Sequence, residues 1–118
     1  MAELFITEEE GWHSIIQGFN NANNSILVES LTLDDIDITD RTTIKIDTEG
    51  AEELVLRGAS QTLRNPLVHT LIVEVTNNRY CARLLQEAGF DVKVLDVKGE
   101  RNILSLDSET QVNLIARR

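Results

Sequence analysis

The stretch Thr42–Glu52, TTIKIDTEGAE, constrains the fold more than any other part of the chain. Ile44 and Ile46 alternate with polar residues, the period of a strand with one buried face. The turn Thr48-Glu49-Gly50 breaks that alternation. From Ala51 the periodicity becomes helical, with Ala51, Leu54, Val55, Gly58, Ala59, Thr62 and Leu63 spaced three and four apart. Two carboxylates, Asp47 and Glu49, fall where the strand ends. In open α/β sheets ligands bind at the carboxyl ends of strands, so this corner is the first place to look for chemistry.

The segments that follow repeat the alternation of strand and helix. Asn65-Pro66 stops the first helix. Thr70–Val75, TLIVEV, is nearly continuous apolar sequence, as expected of a strand covered on both faces. Asn77 or Asn78 caps a second helix whose buried stripe is Cys81, Leu84, Leu85 and Ala88, and Gly89 ends it. Phe90, Val92 and Val94 then alternate with Asp91 and Lys93, Lys98-Gly99-Glu100 makes a turn, and Val112, Leu114 and Ala116 give a last strand. With no helix between them, these last two strands form a terminal antiparallel pair. The pattern predicts an α/β layered sheet.

The first forty residues are less regular. Glu3–Thr7 reads as a short strand. Trp12, Ile15, Ile16 and Phe19 have helical spacing and predict a brief helix, weakened by Gly11 and Gly18. Asn20–Asn24 is turn chemistry, Ile26–Leu33 a strand, and Asp34–Asp40 an acidic connection.

A chain of 118 residues holds one domain at most. No apolar run approaches membrane-spanning length, and the acidic N-terminus has no signal-peptide pattern. The single Cys81 cannot form an internal disulfide, and its helical stripe places it in the core. These features predict a cytoplasmic setting without membrane contact. The net charge is −9, and residues 34–53 carry eight acids against Arg41 and Lys45. Such a patch repels phosphate backbones, which disfavours a nucleic-acid partner.

Ile44-Lys45-Ile46-Asp47-Thr48-Glu49-Gly50-Ala51-Glu52, followed by Val55-Leu56-Arg57-Gly58-Ala59, closely resembles the signature of the FkbM family of S-adenosylmethionine-dependent methyltransferases. Three other segments fit in order. Leu31–Ile36 resembles the family's "TLDD" segment, Leu71–Val75 its next strand, and Leu84-Leu85 through Gly89-Phe90 its helix end. The resemblance implies a Rossmann-like class I methyltransferase sheet. Residues 42–47 would be its fourth strand, 70–75 its fifth, and the last two strands its sixth and seventh.

A complete enzyme of that type begins with a strand and a glycine-rich turn that lets the backbone approach the cofactor. Here the glycines are 11, 18, 50, 58, 89 and 99, and no G-x-G occurs. By the family's order the first three strands lie upstream of Met1. Residues 1–118 are therefore expected to be a single partial domain, the C-terminal half of the methyltransferase sheet, inactive alone and without residues that bind the methyl donor. The fourth strand would lose its neighbour, and its free edge predicts self-association.

The resemblance implies methyl transfer to a hydroxyl of a small molecule, sugar or lipid. Such a reaction needs a positioned acceptor and a group that removes its proton. Asp47 and Glu49 are the candidates: each suits a general base, an anchor for the hydroxyl, or a ligand to a divalent ion. Acids in a first helical turn, Glu49, Glu52 and Glu53 among them, also offset the helix dipole by about 0.3–1 kcal/mol each. Glu74, near the end of the next strand, and Trp12 with His13 are candidates for acceptor binding. No H-E-x-x-H, paired cysteine or P-loop points to other enzyme classes. The alternative from a different class is a non-catalytic α/β interaction module that keeps the second half of the fold.

Overall fold

The computed structural model describes residues 1–7, 13–18, 24–76, 78–103 and 111–118. Along these run β1 (Ala2–Ile6), β2 (Asn24–Val28), β3 (Thr42–Ile46), α1 (Glu52–Arg57), β4 (Val68–Val75), α2 (Asn78–Glu87), β5 (Asp91–Asp96), β6 (Gly99–Asn102) and β7 (Val112–Arg117). β1 and β2 make an antiparallel pair of their own, and the other strands form one mixed sheet in the order β3-β4-β7-β5-β6.

β3 and β4 are parallel, as a connection through α1 requires. β7 runs antiparallel to both β4 and β5 and lies between them. The expected antiparallel pair is thus present. β3 occupies one border of the sheet, with no strand beyond it among the described residues.

Alternation along the strands sorts the side chains into two faces. Ile46, Leu71, Val73, Val75, Val92, Val94, Leu114 and Ala116 share the face that carries both helices, and all are buried. Leu56 from α1, Ala59 and Leu63 beyond it, and Cys81, Ala82 and Leu85 from α2 complete one continuous core. Each such leucine contributes about 1.5–3 kcal/mol by leaving water. The opposite face differs: Lys45, Asp47 and Lys93 are exposed, Ile72, Glu74 and Asn113 half-buried, and Ile115 buried. Among the described residues no helix covers it. Both helices pack on the side of Leu71 and Val73; on the other side Ile72 is half-buried and its cross-strand partner Ile115 is buried.

Four local expectations are corrected. Residues 13–18 form bends and turns rather than a helix, because Ser14 bridges to Phe5 and its hydroxyl takes the Ile16 N–H at 3.1 Å. The strand from Ile26 stops at Val28, and Leu33–Asp35 is a 3-10 turn closed by a reciprocal Thr32–Asp35 cap. The helix after β3 ends at Arg57, with a 3-10 turn at Thr62–Arg64. Gly99 and Glu100 open β6 rather than sitting in a turn; the hairpin turn falls at Val97 and Lys98. Its strand, Gly99-Glu100-Arg101-Asn102, is polar and exposed throughout, so it gave no alternation to read.

Cys81 is 1% exposed in α2, and burial, followed by the charges of Glu52 and Glu53, pushes its thiol up to about 12. It is core, as its position in the stripe predicted. Gly89 closes α2 at φ +96°, a conformation that favours glycine. No helix among the described residues is long and apolar enough to cross a membrane.

Candidate functional site

The parallel register pairs Ile46 of β3 with Val73 of β4. One residue further along each strand, Asp47 and Glu74 arrive side by side on the face without helices. Glu49 folds back toward them from the turn after β3. One carboxylate oxygen from each of Asp47, Glu49 and Glu74 lies within 4.8 Å of the other two. Lys45, two residues before Asp47 on the same face, pairs with it at 3.1 Å. Asp47 is exposed, while Glu49 and Glu74 are half-buried.

Glu49 reaches that position because its backbone is left-handed, at φ +49°, and Gly50 follows at φ +98°. The left-handed region costs a residue with a β-carbon about 1–2 kcal/mol. The turn is held from two sides. Oε1 of Glu52 accepts the Thr48 N–H at 2.9 Å, the Thr48 hydroxyl at 3.0 Å and the Gly50 N–H at 3.3 Å. Glu52 is 5% exposed, so these bonds are made with little competition from water. From the other side the Ser14 hydroxyl donates to the Glu49 carbonyl at 2.6 Å. The helix-dipole reading of Glu52 is therefore incomplete: the side chain staples the turn. Ser14 carries no motif and comes from 35 residues upstream, so sequence reasoning passed over it.

The crowding of acids sets the electrostatics. Burial raises the pKa of Glu74, and its hydrogen bond to Asp47 and the charges of Asp47 and Glu49 raise it further; Lys45 opposes them. Burial likewise raises that of Glu49, followed by the charges of Asp47 and Glu52. Carboxylates this close resist being ionised together. They can share a proton, or hold a divalent cation through hard oxygen ligands.

The other candidates lie elsewhere. Nδ1 of His13 accepts the Thr7 N–H at 3.2 Å, and the ring is no part of the carboxylate group. Trp12 lies outside the described residues. Nδ1 of His69 is 2.8 Å from the Thr70 hydroxyl. In the "TLDD" segment Asp34 accepts the N–H groups of Gln61 and Thr62 at 3.1 and 2.8 Å and the Ser60 hydroxyl at 3.2 Å. Burial pushes the Asp34 carboxyl up, but those bonds outweigh it and leave its pKa lowered. An apolar groove of about 240 Å³ runs between that segment and α1, lined by Ile15, Leu31, Leu33, Ile36, Leu54 and Val55. Its walls come from separate segments, so no local pattern announced it.

The family model for the methyltransferase FkbM domain matches residues 4–104, most of the chain. The chain belongs to that family. No curated protein and no solved structure gave a significant match.

Proposed function

We propose that this member of the FkbM methyltransferase family contributes the acceptor side of an S-adenosylmethionine-dependent O-methyltransferase. The observation that carries the reading is the meeting of Asp47, Glu49 and Glu74 where β3 and β4 end. Glu49 removes the proton of the acceptor hydroxyl. A raised carboxyl pKa makes it a stronger base than an ordinary glutamate, and proton transfer is most effective from a group poised near the working pH. Asp47, held by Lys45, orients the hydroxyl. Glu74, hydrogen-bonded to Asp47 and with its pKa raised by burial and by its acidic neighbours, fixes the position of Asp47. A divalent cation on the same oxygens would orient the hydroxyl in Asp47's place.

Among the described residues, no glycine-rich turn offers a cradle for the methyl donor. Gly50 is the single glycine in the turn from β3 to α1, and its N–H is already taken by Glu52. The sequence between β4 and α2 has no glycine. The reading therefore places the donor cradle on a further strand beside β3, in the manner of a Rossmann-like class I sheet. Residues 1–118 then act as its C-terminal half.

The test is transfer of tritium from methyl-labelled S-adenosylmethionine to a panel of sugar, lipid and phenolic hydroxyl compounds. The chain is assayed alone and joined in frame to any strand and glycine-rich turn encoded upstream. Transfer by the joined protein is expected, with kcat about 10²–10⁴ lower for Glu49→Gln. Full turnover by Glu49→Gln would remove Glu49 from the chemistry. Micromolar binding of the donor by the 118 residues alone, measured by calorimetry, would remove the missing cradle. A free protein without transfer in either form would favour a non-catalytic interaction module.

A further inference from the structure

We infer that Ser14 is a positioning residue: its hydroxyl holds the Glu49 backbone in the left-handed conformation that aims this side chain at Asp47 and Glu74. Glu49 is the non-glycine residue with positive φ among the described residues. A residue with a β-carbon stays there only when its surroundings over-determine it. The Ser14 side of the clamp is built for that. Ser14 is 1% exposed. Its hydroxyl donates to the Glu49 carbonyl at 2.6 Å while accepting the Ile16 N–H at 3.1 Å, so the rotor is fixed at both ends.

The backbone of Ser14 is fixed too. Its carbonyl accepts the Phe5 N–H at 2.8 Å and its N–H donates to the Phe5 carbonyl at 3.2 Å. Phe5 belongs to β1, which pairs along its whole length with β2. The two-stranded unit stands outside the main sheet, and Ser14, bridged to its first strand, reaches the Glu49 turn through its hydroxyl. Glu52 secures the residues on either side of Glu49, Thr48 and Gly50, and leaves the Glu49 carbonyl to Ser14. Without Ser14, that carbonyl loses its buried donor, and Glu49 relaxes to negative φ and swings its carboxylate out of the group.

The catalytic meaning of this hold rests on the proposed role of Glu49; the hold itself does not. Ser14→Ala is compared with the unaltered protein by backbone NMR. The expected result is a shift of the Glu49 and Gly50 amide and α-carbon resonances out of the positive-φ range, with β4 and β7 unmoved. Unchanged Glu49 and Gly50 resonances would overturn the inference, as would changes spread evenly through the sheet. Should Ser14→Ala not fold, Glu49→Gly is added, because glycine takes positive φ without a side-chain penalty. The double variant is expected to fold, and its failure would place the role of Ser14 elsewhere. Full turnover by Glu49→Gln would sink the catalytic reading while leaving the NMR result to judge Ser14.

Discussion

Gly58 lies directly against Thr32: a β-carbon built on the glycine would sit 3.2 Å from both Cβ and Cγ2 of the threonine. The Gly58 carbonyl accepts the Asp34 N–H at 3.3 Å, and the Asp34 carboxylate takes the N–H groups of Gln61 and Thr62. Two motif segments distant in sequence are thereby locked into one corner. Asp34 of the "TLDD" segment caps the 3-10 turn that follows α1, and the glycine gives the segment room.

Gly58→Ala is therefore expected to destabilise the fold. Overpacking of this kind costs about 1–3 kcal/mol, against about 0.4–1 kcal/mol gained from a stiffer unfolded chain. Thr32→Ser removes Cγ2 and keeps the hydroxyl that bonds Asp35. In the Thr32→Ser background the cost of Gly58→Ala should shrink. Urea midpoints of the four proteins give the coupling, and equal costs in both backgrounds would show that Cγ2 of Thr32 is not the obstacle.

The same corner shows what the sequence could and could not disclose. The core was legible where burial imposes a period: Val92 and Val94 alternate with polar residues, Leu114 and Ala116 alternate in the last strand, and Cys81 and Leu85 fall one helical turn apart. Asp47 and Glu49 were legible from their place at the end of a strand. Glu74 was legible as a neighbour, since parallel strands bring equivalent ends together. The turn staples were not. Glu52 looked like any acid in a first helical turn, and Ser14 meets Glu49 through a contact that no local pattern encodes. The short α1 was hidden too, because Asp34 captures backbone groups that would otherwise have continued the helix. β6 escaped because an exposed polar edge strand has no buried face to reveal it.

Stability should fall as pH rises above the ordinary glutamate range. Glu49 and Glu74 both have folded pKa values raised from 4.5, Glu74 with the added hydrogen bond to Asp47. Between the unfolded and folded values the native state binds more protons, so the protein loses stability as pH climbs through that window. Asp34 and Asp96 are lowered from 3.8 and act in the opposite sense, at lower pH, so the two effects separate. Glu74→Gln should flatten the decline of the urea midpoint as pH rises above the ordinary glutamate value. An unchanged slope would show that Glu74 is not proton-linked to folding.

Arg118 fastens the far end of the sheet. Its guanidinium lies 4.0 Å from the Phe90 ring centroid, and it donates to the carbonyls of Val68, at 2.9 Å, and Leu63. The 3-10 turn after α1, β4 and the residue just before β5 thus share one side chain. Arg118→Ala should cost about 1–3 kcal/mol, from lost charged hydrogen bonds and ring contact together. Arg118→Lys should recover only part of it, because a single ammonium cannot stack on the ring and reach both carbonyls equally well. Full recovery by lysine would reduce the role to charge alone.

The border at β3 leads to a prediction about association. β3 has β4 on one side and no strand on the other among the described residues. Unpaired N–H and C=O groups along such a border template pairing with another chain. We propose that the chain self-associates through this edge at tens of micromolar concentration. Light-scattering chromatography should then show mass rising with concentration. Thr43→Lys, which puts a charge on exposed β3, should shift the distribution toward monomer, as charged edge residues do in natural sheets. Occupation of the edge by a strand bearing the glycine-rich turn should do the same, because one border cannot pair twice. A sharp monomer peak for the unaltered chain at those concentrations would show that the edge is already protected.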